Sequence, residues 1–141
     1  MIIVSWQWPL VFGLILIRLL APGWLIMLTL WTLGVPAFVV CAPLLFGAYL
    51  STPEQHSLIQ LADILLVVAA FTVPDGGDNS GYRIPLLTLV KFDPEIDEKN
   101  LFGRALVWTG GGCVLAYAGV LLVLWVEIGE QHGWITTGFG S

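Results

Sequence analysis

The stretch from Leu101 to Ile128 is almost wholly apolar, with Arg104 and Glu127 close to its two ends. A helix of roughly 20 such residues crosses the hydrocarbon core of a bilayer, and this stretch exceeds that length. Three further apolar segments precede it: Ile2 to Leu20, Trp24 to Leu50, and Glu54 to Val73. Four spans use up most of the 141 residues and leave no length for a soluble catalytic domain. The composition agrees, since 57% of the residues are hydrophobic and only 11% charged, far from the usual balance of a soluble domain. The expected fold is an all-α integral membrane protein forming one domain over residues 1–141. Its bundle has about four transmembrane helices, near 2–20, 24–50, 54–73 and 101–128. Residues 74–100 form a cytoplasmic loop and 129–141 an outer tail.

The turns between these segments are written in residue chemistry. Ala21, Pro22 and Gly23 stop the first helix, because proline disfavours helical geometry in the residue before it and glycine accepts a left-handed cap. The second segment would reach about 40 Å as one helix, more than a bilayer core, so it tilts, kinks at Gly34, Pro36 or Pro43, or breaks near Gly34 into a re-entrant piece. Ser51 or Thr52, followed by Pro53 and Glu54, reads as an N-cap with proline in the first turn and an acid near the positive helix end. Ile84 to Phe92 is apolar but too short to span, which predicts an interfacial helix or short strand resting on the membrane. The glycine-rich tail with Trp134 reads as an irregular segment near the headgroups.

Charge sets the orientation. Placing residues 21–23 and 74–100 in the cytoplasm puts Arg18, Arg83, Lys91, Lys99 and Arg104 on or near that side, as the positive-inside rule requires. Both termini then face outward, in a plasma membrane or a bacterial inner membrane. Five Lys and Arg against ten Asp and Glu supply neither a phosphate-neutralising surface for nucleic acid nor a polybasic lipid-binding segment. A cleaved signal peptide is not expected, because no positive charge precedes the first apolar run. Cys41 and Cys113 lie in apolar runs with no CxxC pairing and read as small packing residues.

Two features stand out as candidate sites. In the fourth segment Ala105, Thr109, Gly112, Ala116 and Gly119 recur at spacings of four and three, one face of a helix. In lipid there is no hydrophobic gain from helix contact, so small residues that let backbones approach mark an interface, either with helices one to three or with a second chain. Gly110 and Gly111 cost about 1 kcal/mol each in helix propensity and invite bending. The second feature is Asp63, about 13 Å into its helix, where a carboxylate faces protein or water rather than lipid. Gln60, three residues earlier, shares its face. The pair reads either as a proton or cation site or as a buried polar contact that fixes helix register, with Thr29, Thr32 or Tyr117 as partner.

Other groupings are weaker. Arg18 and Arg104 are expected to snorkel to the interface as anchors. Glu54, His56, Glu127, Glu130 and His132 lie at the outer ends without metal-ligand spacing, and the expectation is no metal and no cofactor. The loop run from Asp75 through Asp78 to Tyr82 and Arg83 does not match a calcium loop and reads as a turn offering contacts to a partner. No nucleophile with an adjacent base, phosphate-binding loop or inverted repeat is present, so an enzyme is not expected. The functional expectation is a non-catalytic membrane subunit that joins another membrane chain, or a homo-oligomer, through its helices and loop. The alternatives are a small oligomeric proton- or cation-coupled transporter or channel using Asp63 and an immunity protein against a membrane-active toxin.

Overall fold

A computed structural model describes residues 2–19, 24–32, 34–76, 82–89 and 101–135. Helices dominate them: α1 (Ile2–Leu19), α2 (Trp24–Trp31), α3 (Val35–Leu50), α4 (His56–Thr72), α5 (Pro85–Leu89) and α6 (Leu101–Gln131). A single 3-10 turn, Pro53–Gln55, leads into α4, and the two-residue strands β1 (Asp75–Gly76) and β2 (Tyr82–Arg83) pair antiparallel. Two helical stretches, Pro53–Thr72 and Leu101–Gln131, are long and apolar enough to cross a membrane.

The second segment is not one kinked helix. Gly34 has φ +89°, the left-handed region that glycine enters without a Cβ penalty, and it separates α2 from α3. Pro36 then occupies the first turn of α3, where its missing N–H costs nothing. Pro43 stays inside α3, and the helix around it is braced from α6: Tyr117 donates its hydroxyl to the Val40 carbonyl at 2.7 Å, and Trp125 its indole N–H to the Pro43 carbonyl at 3.1 Å. Replacing Tyr117 by phenylalanine is expected to cost about 0.5–1.5 kcal/mol, read as a lowered unfolding midpoint in mixed detergent micelles; an unchanged midpoint would remove the brace from the account.

The other boundaries shift for local reasons. Thr52 begins the 3-10 turn, and its backbone N–H donates to Oε1 of Gln55 at 3.1 Å, so glutamine rather than Glu54 completes the cap. At the far end α6 runs three residues beyond the expected stop at 128 and closes in a Schellman motif. Gly133 has φ +69°, and the N–H groups of Trp134 and Gly133 donate to the carbonyls of Gly129 and Glu130. Of the short apolar run expected at 84–92, residues 85–89 form α5, Ile84, Pro85 and Leu87 are buried against the protein, and residues 90–92 lie outside the described residues.

The core forms where α4 meets α6, joined by α1 and α3: Leu14, Leu44, Ala48, Ile59, Ala62, Leu66, Tyr117, Leu124 and Ile128. Thr72 lies against Gly110 and Gly47 against Leu124, while Arg18 reaches Val73 and Gln131 reaches Thr52. These contacts make α1 run parallel to α4, and α3 and α6 run opposite to both.

The face of α6 that enters this core carries Gly103, Gly110, Tyr117 and Leu124, a seven-residue recurrence. It lies two residues out of phase with the stripe of Ala105, Thr109, Gly112, Ala116 and Gly119. Two residues turn a helix by about 200°, so the stripe points away from the bundle. All five stripe residues are exposed, which sets aside packing against helices one to three.

Candidate functional site

The most polar contact inside the bundle joins α1 to α4. Gln7, Val11 and Leu14 form a buried face of α1 at spacings of four and three, and Arg18 continues it one turn further. At one end of this face Nε2 of the Gln7 amide donates to both carboxylate oxygens of Asp63, at 2.9 and 2.7 Å. At the other end Arg18 donates to the Val73 carbonyl at 2.8 Å, covering the C-terminus of α4, where a cation is favoured. Arg18 therefore caps a helix end.

Gln7 is 1% exposed, and its Oε1 has no hydrogen-bond donor among the described residues. Asp63 is half-buried and opens on a groove of about 540 Å³. Trp6 and Leu10 of α1 and Ile64, Val67 and Val68 of α4 give it apolar walls, and Gln60 contributes the other polar side chain. A carboxylate held by one amide and open to such a groove can bind a proton or a small cation. Nothing here assembles a nucleophile with a base.

Of the expected site residues, Asp63 lies where the sequence puts it, inside a helix and facing protein. Gln60 is exposed and shares the groove with it, while the hydrogen bonds to the carboxylate come from Gln7. Two of the three expected partners are committed elsewhere, Tyr117 to Val40 and the Thr32 hydroxyl to the Leu28 carbonyl at 2.6 Å, and the Thr29 side chain lies outside the described residues. Asp75 and Arg83 face each other in the β1–β2 register, with Tyr82 opposite Gly76, and Asp78 lies outside the described residues. Among the described residues no three His, Cys, Asp or Glu side chains converge to hold a metal ion. His132 instead contacts the Ile128 carbonyl at 2.9 Å and stacks on Trp134.

Gln7 was the residue to find. A glutamine in phase with Arg18 and with the apolar residues between them, on a helix that is otherwise largely apolar, is a signal that a polar partner waits on a neighbouring helix. Comparison with protein-family models, curated proteins and solved structures gave no match. The site is therefore read from its own chemistry.

Proposed function

We propose that the chain is an integral membrane protein of four hydrophobic segments that acts as a non-catalytic subunit, binding another membrane chain through the outer face of α6. One observation carries this reading: among the described residues the five stripe residues are exposed, and a Cβ added at Gly112 or Gly119 would find no atom within 4 Å. A helix that exposes its narrowest face offers close backbone approach to a partner. Membrane insertion is supported by the apolar exterior, where Trp31 is 90% exposed and Leu101 81%. Such a surface is a liability in water and carries no penalty in lipid. By length, α2 and α3 would cross together, since neither reaches the roughly 20 residues of a full span alone.

The helix directions bring Arg18, Arg83 and Arg104 to one end of the bundle, which supports a cytoplasmic position for residues 74–100 and outward termini. Gly112→Leu is expected to abolish co-purification of the partner in gentle detergent while leaving the unfolding midpoint of the isolated chain within about 0.5 kcal/mol. Retained association overturns the interface. The partner is a second protein or a second copy, and the mass of the intact complex tells which.

A second reading, coupled transport of a proton or cation, draws on the Asp63 carboxylate facing its groove. Asp63→Asn, which removes ionisation and keeps the shape, would then stop flux in reconstituted vesicles and leave the assembly intact.

A further inference from the structure

We infer that Asp63 and Gln7 form a proton-binding site in which protonation of the carboxyl group completes the hydrogen bonding of the buried amide. A glutamine amide offers two N–H donors and one carbonyl acceptor. Here Nε2 stands against both Asp63 oxygens, at 2.9 and 2.7 Å, sharing one N–H between them, and the carbonyl Oε1 is buried with no donor among the described residues. An ionised carboxylate has no hydrogen to give, so the pair in this form keeps an orphaned acceptor at a cost of about 1–3 kcal/mol. The missing element is a single hydrogen at a single place.

A proton supplies it. Hydronium entering along the groove transfers its proton to one Asp63 oxygen and leaves as water, forming an O–H bond and neutralising the carboxylate. The amide then turns about its last side-chain torsion. Nε2 donates to the unprotonated oxygen, and the new O–H donates to Oε1. The result is a closed two-bond ring between acid and amide, neutral and satisfied on both sides. The reverse turn releases the proton to the groove. A metal cation fits less well, because Nε2 occupies the lone pairs that would face the ion and an amide N–H cannot ligate it.

The charged groups on the packed helices stand apart from the acid. Tyr117 of α6 lies within electrostatic reach of Asp63 and of Cys41 on α3, but its hydroxyl hydrogen is committed to the Val40 carbonyl. On α1 the cation is Arg18, at the Val73 carbonyl, about 15 Å from Asp63 by helical rise. Glu54 and His56 stand about 13 and 10 Å from Asp63 by helical rise, toward the other end of the bundle. Neither helix assembly nor transport is required for this chemistry.

The test is infrared difference spectroscopy of the full chain reconstituted in phosphatidylcholine vesicles, recorded between high and low pH at constant sodium. Lowering the pH is expected to produce, beside the C=O absorption of the other nine acids, a carboxylic-acid C=O component that is lost in Asp63→Asn and shifted in Gln7→Leu, with an accompanying change in the glutamine amide band of the unaltered chain. Should Asp63→Asn fail to insert, the Gln7→Leu shift and the amide change still decide. An acid C=O difference spectrum unchanged by Asp63→Asn in a chain with its helical signal intact, or one unmoved by Gln7→Leu, would overturn the inference. So would an equivalent change produced by adding sodium at fixed pH, which assigns the site to a metal cation.

Discussion

Gly110→Ala is expected to destabilise the bundle by about 1–3 kcal/mol, although alanine is the better helix former. A Cβ at this position would stand 2.9 Å from the Thr72 hydroxyl oxygen, 2.9 Å from the Val73 nitrogen and 3.0 Å from the Thr72 carbonyl carbon. Two of these are backbone atoms and cannot swing aside. The hydroxyl is held as well, donating to the Val68 carbonyl at 2.7 Å, while the Val73 N–H donates to Ala69 at 2.8 Å and the Val73 carbonyl receives Arg18. Moving α4 away would therefore strain its whole C-terminal cap. The propensity gain of about 1 kcal/mol loses to this overlap. Gly111→Ala is the control, because its Cβ meets nothing within 4 Å. Unfolding midpoints in mixed micelles should fall for the first and stay level or rise for the second. Equal behaviour of the two would show that α4 and α6 are further apart than described here.

Breaking the Gln7–Asp63 contact from either side is expected to cost about 1–3 kcal/mol, and removing both residues much less than the sum. Asp63→Leu strands an amide that is 1% exposed. Gln7→Leu strands a half-buried carboxylate without the donors that replace its hydration. In Gln7→Leu with Asp63→Leu neither stranded group remains, and replacing a buried polar pair by apolar side chains of similar volume is often close to neutral. Hydrogen bonds between membrane helices average only ~0.6 kcal/mol, so the bulk of each single effect is the penalty of the orphan, not the bond. A double-mutant cycle reads this directly. Additive single effects would mean that the two side chains do not interact.

Much of the architecture could be read from residue types alone. The helices over 2–19, 56–72 and 101–131 follow from long apolar runs between turn signals, and Asp63 is conspicuous as a carboxylate among aliphatic neighbours. Three things could not be read, each for a physical reason. Gly34 and Pro43 both weaken a helix, and which one breaks it depends on whether neighbours brace it; Tyr117 and Trp125 brace Pro43, and Gly34 yields. Helix α6 is apolar or small on every side, so hydropathy carries no phase. The stripe at Gly112 and the recurrence at Gly110 fit one helix equally well, and only the approach of Thr72 selects between them. The partner of Asp63 was hidden because Gln7 lies 56 positions away. Periodicity marked it as facing inward without saying toward what.

The brace on α3 also bears on how such a chain is made. Val40 and Pro43 receive their side-chain donors from residues 77 and 82 positions further along. A nascent chain emerges from the ribosome amino end first, so α3 is made long before Tyr117 and Trp125 exist. Until the last helix arrives, the turn around Pro43 stands without its side-chain donors. The early arrangement of α3 is therefore provisional, and the architecture becomes final only when translation of α6 is complete.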